Sequence, residues 1–398
     1  MPLTGNAKGN AMGSATGTAL DTSAASGASP ALLAGAALKG SATPRFHRLT
    51  VRDVRRETPD AVSVTFDVPQ DLAADFAFAP GQYLTLKTTL DGEEIRRSYS
   101  ICSGPDDGEL RIAVKQVENG LFSSWVNANL KSGDALDVMT PTGRFGLEQA
   151  PGDGRVHVAF AAGSGITPVL SIARGVLARE PASRFFLFYG NRTTDNILFR
   201  TELEELKDLF LGRFSVFHVL SREEQDLAIL NGHLDGEKVR LLLTAMVPAQ
   251  VVDHAFVCGP TAMIDELEAT LKDIGLPPEK VHVERFVSAL GGKPRPKPPV
   301  APDAPPAHVA SLIVDGKRRD VPVAEGEAIL DAALRAGMDL PFACKGGMCS
   351  TCRAKVVEGT AEMEVNYSLE PWELQAGFVL TCQARPTSAR VVVDFDQV

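Results

Sequence analysis

Three cysteines within nine residues, in "CKGGMCSTC" (344–352), constrain this chain more than any other feature. Cys344, Cys349 and Cys352 are followed by a distant fourth, Cys382. The pattern C-x4-C-x2-C…C is the plant-type [2Fe–2S] arrangement, in which four thiolates hold two irons. Zinc would usually show two CxxC pairs, and here only Cys349 and Cys352 make one. A thioredoxin-like pair would stand without two further cysteines. The metal ligands are therefore read as Cys344, Cys349, Cys352 and Cys382. Sulfur atoms carrying concentrated negative charge need backbone N–H groups turned toward them. Gly346 and Gly347 are expected to supply the backbone angles, and Lys345 and Arg353 to add positive charge nearby.

The remaining composition fits a soluble multidomain chain. Its 398 residues suffice for two to four domains, and the formal charge of −10 argues against nucleic acid or an anionic membrane as partner. No apolar run reaches the roughly 18–20 residues of a membrane span. Six cysteines, four of them in the last 55 residues, are too few for a disulfide scaffold and suit a cytoplasmic protein with clustered metal ligands. The seven histidines show no metal-binding spacing, so no second metal is assigned.

Patterning divides the chain into segments. Residues 1–44, rich in Ala, Gly, Ser and Thr, read as a disordered tail. Within them "ALLAGAAL" (31–38) resembles the apolar part of a signal peptide but lacks a basic start. Over 45–150, short alternating runs such as "AVSVTFDV" and "QYLTLKTTL" predict a small antiparallel β-barrel. Over 151–288, continuous apolar runs ("VHVAFAAG", "RFFLFYG", "HAFVCG") alternate with helical stretches and predict an α/β domain with a parallel sheet. Residues 289–307 are Pro-rich and read as an extended spacer, with a swing of the last module as its expected use. The module at 308–398 opens with a hairpin signature, "ASLIVDGKRRDVPV", and an amphipathic helix, "AILDAALRAGM". It is read as an α+β, β-grasp ferredoxin domain.

A plant-type cluster sits low, at about −400 mV, and takes one electron at a time. Nicotinamides deliver two as hydride, and a flavin converts between the two. The barrel is therefore expected to hold flavin around "RRSYSICS" (96–103). Arg97 suits a diphosphate, Tyr99 suits stacking on the isoalloxazine, and Ser100 suits a hydrogen bond near the hydride-accepting nitrogen. Val114 and Lys115 on the following strand complete that wall. "ENGLFSSW" (118–125) offers Gly120 and Ser123 at a helix start, which suits a phosphate and equally a plain N-cap.

In "AFAAGSGITPVLSIA", Gly163, Gly165 and Thr167 lie where a helix N-terminus would face a pyrophosphate, although Pro168 replaces the usual third glycine. The second strand of this domain ends in Arg192 with no immediate carboxylate, and the third in Ser221 and Arg222. A guanidinium and a hydroxyl suit a 2′-phosphate, hence NADPH, unless both arginines are simply solvated. Cys258, Gly259 and Pro260 ("FVCGPTAMIDE") close the sheet. Cys258 is either a small core residue or a wall of the nicotinamide pocket, and Cys102 is core. Hydride transfer rests on alignment, so Ser100 and Cys258 are the only candidates for a catalytic role.

The ordered motifs R-x-Y-S, G-S-G-I-T-P, S-R-E and C-G-P resemble the ferredoxin–NADP reductase superfamily over about 46–287, and the C-terminal ferredoxin resembles reductase components of multicomponent oxygenases. "YGNRTTDN", "HLDGEKV", "ERF", "DLPFACKGGMCSTC" and "MEVNYSLEPWELQAGFVLTCQARP" more narrowly resemble the reductase subunits of 1,2-phenylacetyl-CoA epoxidase. That resemblance implies electron flow from NADPH through FAD and the [2Fe–2S] cluster to a diiron oxygenase. It also implies FAD rather than FMN. The customer is then the phenylacetyl-CoA ring epoxidase of phenylacetate catabolism, or alternatively another aromatic-ring oxygenase or hydroxylase. A non-catalytic redox-sensing module is the reading from another class.

Overall fold

The computed structural model describes residues 44–147, 152–286 and 306–397. All but the last residue of the tail expected at 1–44, and most of the Pro-rich spacer, lie outside the described residues.

The first domain is a six-stranded antiparallel sheet: β1 (Phe46–Thr58), β2 (Ala61–Asp67), β3 (Tyr83–Leu90), β4 (Glu93–Ser100), β5 (Leu110–Lys115) and β6 (Ala135–Met139), in the order β4-β3-β6-β1-β2-β5. Ile101, just past β4, bridges Ile112 of β5, and this contact closes the sheet into a barrel. Alternating residues such as Leu84, Leu86, Val62 and Val64 fill its interior. Helix α1 (Leu121–Asn129) follows β5 and buries Phe122 and Val126.

The second domain carries five parallel strands: β7 (Val156–Ala162), β8 (Arg184–Asn191), β9 (Phe214–Leu220), β10 (His254–Gly259) and β11 (Val281–Arg285), in the order β11-β10-β7-β8-β9. Helices α2 (Ile166–Arg179), α3 (Arg200–Leu209), α4 (Gly236–Met246) and α5 (Thr261–Asp273) connect them. Apolar side chains cover both faces, which explains the continuous apolar runs. The strand order reverses between β7 and β10. Ligands of such sheets bind in the crevice at that switch point, beyond the C-terminal strand ends.

The third domain pairs β12 (Pro306–Val314) with β13 (Lys317–Ala324) through a turn at Asp315 and Gly316, both at positive φ. That is the Asp-Gly hairpin signal in its expected form. The strand starts at Pro306, inside the stretch read as spacer. Helix α6 (Ile329–Arg335) packs under the sheet. Then come β14 (Arg353–Glu358), β15 (Ala361–Met363), α7 (Pro371–Gln375), β16 (Phe378–Leu380), β17 (Ala384–Pro386) and β18 (Arg390–Asp394). β12 pairs in parallel with β18, giving a mixed sheet β13-β12-β18-β14-β16.

Candidate redox site

The four cysteines of the third domain are free thiols in two pairs. Cys344 and Cys349 share a side-chain hydrogen bond, as do Cys352 and Cys382. Two thiolates per iron is what a binuclear cluster requires, and the pairing fits it. Among the described residues, no three His, Cys, Asp or Glu side chains converge as on a single ion. The Gly346 N–H points at Cys344 Sγ (3.3 Å) and the Cys344 N–H at Cys349 Sγ (3.5 Å). The bond to Cys349, helped by the Gly346 and Met348 amides, draws the Cys344 thiol down to about 5. The loop geometry differs from expectation in one respect. Gly347 has φ +77, but Gly346 does not use the left-handed region, and Lys345 (φ 51) and Ser350 (φ 48) do. Tight turning around sulfur here is imposed on residues with side chains. Nor do the two cations stand free beside the thiols. Lys345 pairs with Asp331 (3.1 Å), and the Arg353 Nε donates to buried Glu373 (2.6 Å).

In the barrel, β4 brings the candidate flavin residues to α1. Tyr99 stacks on Phe122 (centroids 5.7 Å apart, 28°), which joins the β4 residues to Ser123 one position on. The Arg97 guanidinium is exposed and donates back to the Arg96 carbonyl (2.8 Å). Val114 is buried, and Lys115 reaches Asp60 (3.5 Å). Ser123 Oγ accepts from the Val117 N–H (3.1 Å) and donates to the Gly120 carbonyl (3.3 Å), so this hydroxyl braces the loop. A Cβ on Gly120 would stand 2.6 Å from that hydroxyl. Gly120 offers α1 no side-chain cap, which leaves first-turn N–H groups open to a phosphate. These features fit a flavin with a phosphate-bearing tail.

In the parallel domain, Gly163 (φ +54) and Gly165 turn the chain from β7 into α2. A Cβ on Gly165 would meet the Cys258 carbonyl oxygen at 2.1 Å, so only glycine lets the two loops at the switch point touch. Thr167 is buried with its hydroxyl on the Ser164 carbonyl (3.0 Å). Pro168 sits in the first turn of α2, where its missing N–H costs nothing. Gly259 is tight against Met263 and Ala162, and Pro260 is the N-cap of α5. Arg192, Ser221 and Arg222 meet at one edge. The Ser221 N–H donates to the Asn191 carbonyl (3.0 Å) and the Arg222 N–H to the Arg192 carbonyl (2.8 Å). Ser221 and Arg222 line a shallow recess of about 330 Å³ with Glu223, Glu224 and Asn231. Glu223 is held by Thr194 (2.7 Å to N and to Oγ1). Among the described residues, neither Arg192 nor Arg222 has an ion-pair partner.

Glu284 is the residue that sequence reasoning did not single out. It lies on β11 in register with Cys258, and its carboxyl accepts from Ser100 Oγ (3.2 Å) across the domain boundary. Ser100 and the buried Cys258 are thus brought to one point by an acid between them. Burial pushes Glu284 from the ordinary 4.5 up to about 8, and pushes the Cys258 thiol well up. The available signal was a carboxylate after two alternating valines on a short strand, "VHVERF". Between pH 4.5 and 8 an unfolded chain has released a proton that the folded chain keeps, so stability falls as pH rises through that window. The expected result is a protonated-carboxyl infrared band that titrates near pH 8 and is absent from Glu284→Gln.

Three family models match in the same order. An oxidoreductase FAD-binding domain covers residues 48–146, an oxidoreductase NAD-binding domain 160–269, and a 2Fe-2S iron-sulfur cluster binding domain 312–387. The chain is 48% identical over 353 residues to a subunit of 1,2-phenylacetyl-CoA epoxidase of Escherichia coli (strain K12), a match covering 88% of this chain and 98% of that one. The chain belongs to this family of reductase subunits. It is an NAD(P)H-dependent reductase component carrying FAD-binding, NAD-binding and [2Fe–2S] domains. It is also 33% identical over 352 residues to the ferredoxin reductase component of 3-ketosteroid-9-alpha-monooxygenase of Rhodococcus rhodochrous (87% of this chain, 96% of that one). Among solved structures it is similar in fold to phthalate dioxygenase reductase (TM-score 0.53, 24% identity, 88% of this chain, 98% of that one). A type IV self-sufficient cytochrome P450 monooxygenase shares the fold over 88% of this chain and 41% of its own (TM-score 0.63, 20% identity). For the described residues, no helix is long and apolar enough to cross a membrane.

Proposed function

We propose that the chain takes hydride from NADPH and hands single electrons to a diiron oxygenase that epoxidises the ring of phenylacetyl-CoA. The observation that carries this reading is the 48% identity, over nearly the whole of the relative, with the epoxidase component of Escherichia coli. Bound FAD accepts two electrons and releases them one at a time. The chain's own residues bind and align. The open first turn of α1 and Arg97 would hold the flavin phosphates, and Tyr99 and Ser100 would line the wall for its ring. The glycine turn at 163–165 and the Cys258–Pro260 loop would admit the nicotinamide. Preference for NADPH is supported by Arg192 and Arg222, two guanidiniums with no ion-pair partner among the described residues, beside Ser221 at the strand edge. Glu284 holds a proton at the Ser100 hydroxyl near neutral pH.

The full chain, tagged and recovered from its own cells, tests this. Diiron oxygenase subunits are expected to co-purify, with NADPH consumption rising on addition of phenylacetyl-CoA. A different oxygenase in the eluate would keep the electron path and remove the substrate. Failure to oxidise NADPH with an artificial acceptor would favour the non-catalytic sensor.

A further inference from the structure

Tyr83 joins the strand beside Ser100 to the loop that holds Cys349, and nothing in the nucleotide chemistry above uses it. Its backbone is fixed on both sides. It stands in register with Ser100 across β3 and β4, and it exchanges hydrogen bonds with Thr142 (2.8 and 3.0 Å). Its ring presses on Gly143 (φ +113), where a Cβ would lie 2.8 Å from ring Cδ1. With the ring so placed, the hydroxyl leaves the barrel and enters the third domain. It donates to the Cys349 carbonyl and lies 2.9 Å from Thr351 Oγ1. The Thr351 hydroxyl is in turn 3.3 Å from Cys349 Sγ. The surrounding contact is built for closeness. Buried Arg96 stacks on Phe342 (3.9 Å) and reaches the Leu340 carbonyl (3.3 Å), while Arg144 pairs with Glu373 (2.7 Å).

The protons can be counted. Tyr83 and Thr351 bring one hydroxyl proton each. The Tyr83 proton goes to the Cys349 carbonyl, and its oxygen, at 2.9 Å, then competes for the Thr351 proton with Cys349 Sγ (3.3 Å) and the Cys349 carbonyl (3.4 Å). We propose that Tyr83 is a positioning residue for electron delivery: it seats the 344–352 loop against the strand carrying Ser100, and by drawing on the Thr351 hydroxyl it weakens the O–H···S bond to Cys349. The inference rests on the reading of the four cysteines as [2Fe–2S] ligands. Hydrogen bonds to ligand sulfur stabilise the more negative, reduced cluster and so raise its potential.

The test uses the full-length holoprotein and Tyr83→Phe, which keeps the ring and removes only the oxygen. In a redox titration followed by electron paramagnetic resonance, the cluster potential is expected to rise. Adding Thr351→Val to Tyr83→Phe should bring it down again. In stopped flow, reduction of flavin by NADPH should be unchanged while subsequent reduction of the cluster slows about tenfold, despite the larger driving force. An unchanged potential, or an unchanged cluster-reduction rate, overturns the proposal. If the parent protein shows no cluster signal at all, the ligand reading itself fails.

Discussion

Cys352→Ser is expected to leave NADPH oxidation with ferricyanide within about twofold of the parent, while cytochrome c reduction falls about 100-fold or more. Ferricyanide takes electrons from reduced flavin, whereas cytochrome c is served through the cluster. Cys352 is 2% exposed and pairs with Cys382 in the core of the third domain, among Ala354, Leu380 and Ala384. Serine is a hard, poorly ionised donor in that apolar surrounding, so an iron held by that pair would lose a ligand. The flavin and nicotinamide residues belong to other domains and are untouched. Parallel assays with the two acceptors, alongside iron and sulfide content, check the prediction. Loss of both activities would mean that the third domain is needed to hold the first two.

The second large effect lies between the barrel and the parallel domain. Arg111 of β5 is 5% exposed and meets Glu202 of α3 through two bonds of 2.5 and 2.6 Å. Arg174 adds a third to the same carboxylate (2.9 Å), and Glu109 lies 3.0 Å from the Arg111 Nε. The guanidiniums beside Glu202 hold its carboxyl below the usual range despite burial. Glu202→Ala leaves a buried guanidinium without its bidentate partner, at a cost of about 3–5 kcal/mol. The urea midpoint should fall accordingly, and hydride transfer should slow because this pair ties the flavin domain to the nicotinamide domain. Arg111→Met together with Glu202→Ala should recover most of the stability, since apolar replacement of a whole buried pair is close to neutral. A double variant no better than the single one would locate the loss elsewhere than in the stranded charge.

What could be read from the chain before folding follows the range of each interaction. Cysteine spacing is local apart from Cys382, and it pointed to the 2Fe-2S domain that the family model matches over 312–387. The Asp315–Gly316 turn is also a local demand on backbone angle and was visible, whereas Gly165 is held to glycine by the Cys258 carbonyl from a strand far away in sequence. Glu284 and Tyr83 were not visible, because their meaning comes from register: one lies beside Cys258 on β10, the other beside Ser100 on β4. The Arg111–Glu202 pair joins residues 91 apart, and either would pass as a surface charge in sequence. Lys345 and Arg353 show the reverse error. Charge near a motif suggested service to the cluster, but Lys345 is taken up by Asp331, and Arg353 by a Glu373 that it shares with Arg144.

The most direct test of the electron path is an anaerobic titration of the purified full chain with NADPH, following flavin absorbance and the paramagnetic signal of a reduced [2Fe–2S] cluster together. The account predicts one flavin and one cluster per chain, with the cluster signal growing as the flavin bleaches. Flavin that bleaches fully while the iron remains oxidised, or a chain that binds no flavin, would contradict it.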